Sequence, residues 1–131
     1  VGGKDGYYSH NLYLAWAHWG QVIGNPLITS PIYNKDRVLQ IRNNRLFAHH
    51  IGFRGNPTDR LHYRFLLTYS ENWGSYFAPF KDKKYNTSIL CEVSYSLPKD
   101  WQITSSFGID RGNLLDNNVG LQIGLSKRGL F

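Results

Sequence analysis

The histidines His49 and His50 are the first residues to test for chemistry, because two adjacent imidazoles could hold a metal. In an extended segment, however, consecutive side chains point to opposite faces, so this pair does not chelate one ion. Ordinary polar roles suit both better. No His/Asp/Glu cluster has metal-ligand spacing, and no Gly-rich phosphate loop or serine-elbow motif is present. Cys91 is the sole cysteine, which excludes an intrachain disulfide. It falls on an apolar parity and reads as an inert small hydrophobe. The residues therefore suggest no catalytic centre, no metal site and no cofactor.

Two groups suit binding instead. The segment 71–84 holds Trp73, Tyr76, Phe77 and Phe80 together with Lys81, Lys83 and Lys84. Aromatic faces stack on sugar rings, and lysines attract acidic polysaccharide or lipopolysaccharide phosphates. The competing reading is that these aromatics fold inward to pack a loop. The second group is His50, Arg64 and Glu92, which share one parity. Hairpin geometry predicts His50 near Arg64 and Arg64 near Glu92. That cluster is either a charge-neutralising network or a polar lining for a sugar or ion path.

These residues need strands to position them. Arg60 to Ser70 alternates cleanly: Leu61, Tyr63, Phe65, Leu67 and Tyr69 oppose His62, Arg64, Thr68 and Ser70, with Leu66 the exception. In 85–97, Tyr85, Thr87, Ile89, Cys91, Val93, Tyr95 and Leu97 share one face. Trp101, Ile103, Ser105, Phe107 and Ile109 follow after Pro98-Lys99-Asp100, and Val119, Leu121, Ile123 and Leu125 lead to a terminal Phe131. Phe47, Ile51 and Phe53 mark an earlier strand, whose apolar face His49 interrupts. Residues 7–19 read as a weak strand and 20–44 as a long loop. The predicted connections thus run long (20–44), short (55–59), long (71–84), short (98–100) and long (111–118).

The chain has 131 residues, net charge +6 and 15% aromatic residues. It reads as one all-β domain over 1–131, with scattered charges that do not favour nucleic acid. No apolar run approaches the ~20 residues of a membrane helix. Across four strands the apolar face carries no formal charge until Lys127, and its aromatics fall near strand ends, as at both interfaces of a lipid-facing barrel. Alternating loop lengths point the same way, with short turns on one side and long loops on the other. A soluble β-sandwich is the competing architecture, since a half-buried sheet also alternates.

Five strands and a possible sixth fall short of the roughly eight that a closed single-chain barrel needs. An open sheet in lipid leaves unpaired edge groups costing several kcal/mol each. The absence of Met and the start at Val1 agree with a fragment or a mature chain. The expectation is an antiparallel meander of transmembrane β-strands forming the C-terminal segment of a larger outer-membrane β-barrel.

Several stretches stand out: Tyr7-Tyr8-Ser9-His10, Gly20-Gln21-Val22-Ile23-Gly24-Asn25-Pro26-Leu27, Ala48-His49-His50-Ile51-Gly52, Tyr63 to Ser70, Leu97-Pro98-Lys99-Asp100-Trp101 and Asp110-Arg111-Gly112. In these the chain resembles the C-terminal part of the capsule-assembly Wzi-type outer-membrane proteins of the Bacteroidetes kind. The resemblance implies a non-enzymatic barrel of the Gram-negative outer membrane that anchors or organises exported polysaccharide. Its expected partners are outer-membrane lipid, lipopolysaccharide, polysaccharide and the remaining strands of the same barrel. A porin-like transport barrel and a soluble β-sandwich lectin stand as the alternatives.

Overall fold

The computed structural model describes residues 16–129. Two short strands, β1 (Ala17–His18) and β2 (Gln21–Val22), pair antiparallel with each other. A single 3-10 turn follows at Pro31–Tyr33. Then come β3 (Arg45–Thr58), β4 (Leu61–Gly74), β5 (Pro79–Ser96), β6 (Trp101–Gly112) and β7 (Asn118–Lys127). These five form one sheet in the order β3-β4-β5-β6-β7. The sheet is mostly antiparallel and open, because β3 and β7 each have one neighbour within it. The weak strand read over 7–19 lies mainly outside the described residues; its end contains β1.

The chain divides into two compact units. One comprises the chain up to Ala48 with Ser70–Tyr85, and the other comprises His49–Tyr69 with the chain from Asn86 onward. In the first unit the segment 23–44 is held by the buried apolar side chains Ile28 and Ile41, together with Pro31. The exposed outer part of this segment carries an ion pair between Asp36 and Arg42 at 2.5 Å. Partial desolvation pulls the Asp36 pKa up, but the Val38 amide and the Arg42 guanidinium outweigh it and hold that carboxyl below its ordinary value.

In the second unit the register follows the alternation of the sequence. Ile89, Ile109 and Val119 form one cross-strand row over β5, β6 and β7. Cys91, Phe107 and Leu121 form another, and Tyr95, Ile103 and Leu125 a third. The opposite face carries the rows Glu92–Ser106–Gln122, Ser94–Thr104–Gly124 and Leu90–Gly108–Gly120. The apolar face is open. Val119, Leu121, Ile123 and Leu125 are 63–72% exposed, and even within the interior strands Val93, Tyr95, Ile103 and Phe107 are 40–46% exposed. This sheet therefore does not bury its apolar side as a half-buried soluble sheet does.

Two predicted connections need correction. The expected loop 71–84 is mostly strand: β4 runs to Gly74, β5 starts at Pro79, and only 75–78 turn. Gly74 has φ +84°, a conformation that glycine adopts freely, and this lets the strand leave tightly. Ser75 N–H donates to Ala78 O at 3.3 Å, and Ala78 N–H donates to Ser75 Oγ at 3.0 Å, closing the turn. The expected turn 55–59 also belongs largely to a strand, since β3 continues to Thr58 and the chain reverses at Asp59-Arg60. Pro57 lies one residue before the end of β3, an edge strand of this sheet, the kind of position in which proline is found. The Pro98-Lys99-Asp100 turn holds, with Lys99 at φ 62° and Asp100 at φ 61° as a type I′ reversal requires. Connections within the sheet are therefore two, four, four and five residues long, and the alternation of long and short loops disappears.

Candidate functional site

The polar face of the second unit gathers charged side chains from four strands. Two hydrogen bonds fix how β3 and β4 face each other. His50 Nδ1 and Thr68 Oγ1 lie 2.8 Å apart, as do His62 Nδ1 and Asn56 Oδ1. Counting inward from both pairs, Arg54 stands opposite Arg64, on the same face. Gly52 agrees, because a Cβ added there meets Leu66 Cδ1 at 3.4 Å. On the other side of β4, Ser96 N–H donates to Arg60 O at 2.8 Å, and Arg64 Nε donates to Glu92 Oε2. Ser106 Oγ lies 3.4 Å from Glu92 Oε1, carrying the polar row into β6.

Of the three residues expected to cluster, Arg64 and Glu92 come together and His50 does not join them. Its partner Thr68 lies four residues along β4 from Arg64, about 13 Å of strand. The cause is the reversal at 59–60, which moves the pairing of β3 relative to a turn centred on Pro57. In its place the structure puts Arg54, Asn56 and His62, which with Arg64, Glu92, Ser94, Thr104 and Ser106 line a cleft of about 300 Å³. Further along the same face of β5, Asn86 Nδ2 donates to Asp110 Oδ1 at 3.2 Å and to Ser88 Oγ at 3.0 Å, and Ser88 Oγ donates to Asp110 Oδ1. The even parity of Asn86 and Ser88 marks their face in the sequence. The pairing with Asp110 depends on strand register, which single residues do not reveal.

The aromatic and lysine group lies in the first unit and does not form one surface. Tyr76 and Phe77 sit at the turn tip, edge to face with ring centroids 5.2 Å apart. Trp73 lies on β4, and Phe80, Lys81, Lys83 and Lys84 lie on β5. Lys83 Nζ sits 5.3 Å from the Trp73 ring and 3.6 Å from Glu71 Oε2. Lys84 Nζ sits 4.6 Å from the Phe80 ring. Neighbouring strand residues face opposite ways, so Lys83 with Trp73 and Lys84 with Phe80 occupy opposite faces.

Sequence reasoning missed the most buried polar network. Asn43 and Asn72 are each 1% exposed. Asn43 Nδ2 donates to Asn72 Oδ1 at 2.8 Å and to Thr29 Oγ1 at 3.0 Å, while Asn43 Oδ1 accepts from Gly74 N–H at 3.2 Å. Asn72 Nδ2 donates to Ser70 Oγ at 3.1 Å and to Lys84 O at 3.4 Å. This network ties the 23–44 segment to the end of β4. Asn43-Asn44 reads locally as a loop signal, and nothing in the sequence separates a buried clamp from a solvated turn.

His49 and His50 are consecutive in β3, on opposite faces. Among the described residues, no group of three or more His, Cys, Asp or Glu side chains is placed to hold a metal ion. No family model, no curated protein and no solved structure matches this chain.

Proposed function

We propose that this chain forms part of the wall of a β-barrel in a bacterial outer membrane, and that the protein serves attachment or assembly of surface polysaccharide without catalysis. The observation that carries the membrane reading is the register of β5, β6 and β7. It gathers Ile89, Phe107, Ile109, Val119, Leu121, Ile123 and Leu125 on one open face, with Ser105 among them, and mostly Ser, Thr, Gly, Asn, Gln, Glu and Asp, with Leu90, on the other. Burying one large apolar side chain contributes about 1.5–3 kcal/mol, so such a face is stabilised by contact with lipid. The polar face, with its ion pair and hydroxyls, favours a wet interior. Strand length also supports the reading. A membrane-spanning strand needs about 9–11 residues, and β3 to β7 have 14, 14, 18, 12 and 10. In lipid the free edges of β3 and β7 require further strands as partners.

The polysaccharide part rests on the resemblance and on the aromatic turn tip flanked by lysines. The test is fractionation of cells that carry the protein, followed by deletion of its gene. Recovery only with detergent, and loss of retained surface polysaccharide on deletion, are expected. Recovery in the soluble fraction without detergent overturns the membrane reading, and unchanged polysaccharide overturns the second part.

A further inference from the structure

Arg54 and Arg64 face each other across β3 and β4, yet the second unit provides one carboxylate contact for the two guanidiniums. Glu92 takes Arg64. The Arg54 side chain makes no ion pair or hydrogen bond among the described residues. Directly opposed strand residues have Cβ atoms about 4.5–5.5 Å apart, and like charges there are destabilising. An oxyanion between the two groups removes that repulsion, and a guanidinium presents a planar fork that matches carboxylate or phosphate oxygens. The surroundings suit a ligand with hydroxyl groups as well. Asn56, His62, Ser94, Thr104 and Ser106 share the cleft with both arginines and offer side-chain donors and acceptors.

We infer that the Arg54–Arg64 pair is a binding site for the oxyanion of an acidic saccharide, with the cleft hydroxyls meeting the sugar. The oxyanion part stands on this geometry alone, while the saccharide part rests on the proposed function. Glu92 acts here as a positioning residue, holding the Arg64 guanidinium on the polar face.

The site is tested by isothermal titration calorimetry on the full-length protein in detergent, with three probes. An oligogalacturonate carries carboxylates, glucose 6-phosphate carries phosphate, and a maltooligosaccharide carries no charge. Binding of one or both anionic probes is expected, with the neutral probe at least tenfold weaker. Binding of oligogalacturonate alone identifies a carboxylate site, and binding of glucose 6-phosphate alone a phosphate site. Arg54→Gln should weaken anion binding at least tenfold. Arg54→Lys, which keeps the charge and loses the fork, should weaken it several-fold. The Arg54 side chain makes no ion pair or hydrogen bond that these variants remove, and circular dichroism checks that both remain folded. Anion binding unaltered by Arg54→Gln, equal binding of the neutral sugar, or no binding of either anion overturns the site. Spin-label accessibility along β7, measured on the same preparation, tests the membrane reading separately. Anion binding beside a failed accessibility pattern leaves the site standing without the barrel.

Discussion

The Arg64 guanidinium donates to the Glu92 carboxylate from strand to strand, 28 residues apart in the chain. This contact places both side chains on the polar face and joins β4 to β5 there. Its contribution to stability is nevertheless small. The Arg64 side chain is 59% exposed and Glu92 31%, and exposed ion pairs contribute about 0–1 kcal/mol. Glu92→Gln should shift the denaturant midpoint by no more than that range implies. A loss several times larger shows a pair far less solvated than these exposures indicate.

The Asn43 clamp should matter more. Removing its amide leaves Asn72 Oδ1 and the Gly74 amide without their buried partner. An unsatisfied buried group costs about 1–3 kcal/mol. Asn43→Ala should therefore lower stability by at least that much and speed proteolytic nicking within 23–44. Nicking at the unmodified rate contradicts the clamp.

The two glycines Gly74 and Gly120 should respond oppositely to alanine. At Gly74, with φ +84°, a Cβ meets Phe80 N at 2.8 Å and Ala78 O at 2.9 Å, both backbone atoms. At Gly120 a Cβ meets nothing within 4 Å. Gly74→Ala should cost about 1 kcal/mol or more, and Gly120→Ala should stay within about 0.5 kcal/mol. Thermal unfolding of the two variants side by side checks this. Equal shifts contradict the tight turn at 75–78.

At the turn tip, Phe77 is 71% exposed. Phe77→Ala and Tyr76→Ala should leave stability within about 0.5 kcal/mol, as surface changes do. Both should reduce retained polysaccharide several-fold in cells. Because Trp73 and Phe80 occupy opposite faces, Trp73→Ala and Phe80→Ala should differ from each other in this assay. Full retention in all four variants removes the turn from the binding account.

What the sequence reveals here is face and parity. Alternation over 85–97, 101–109 and 119–125 places the apolar rows of β5, β6 and β7 correctly, because period two is a property of the strand itself. Shared parity also brings Arg64 to Glu92. Reversals are harder to read. Lys81-Asp82-Lys83-Lys84 looks like loop composition, yet it continues β5, where alternate faces take up the charges. Pro57 looks like a turn residue, yet it sits near the end of an edge strand. The reversal at 59–60 moves the pairing of β3 with β4, so His50 meets Thr68 and Arg54 takes the place expected for His50. The Asn43–Asn72 clamp depends on chain segments that approach only after folding.

In the proposed barrel wall, one face of this sheet meets lipid and the other meets water. Nitroxide labels placed singly along β7, from Val119 to Leu125 in a Cys91→Ser background, test it in the full-length protein reconstituted into bilayers. Collision with lipid-soluble oxygen and with a water-soluble nickel chelate should alternate in opposite phase. Positions 119, 121, 123 and 125 are expected to be open to oxygen and closed to nickel, with 120, 122 and 124 more open to nickel. Odd positions shielded from both reagents mean that protein covers the face. Odd positions open to nickel mean that water does, and either result contradicts the account.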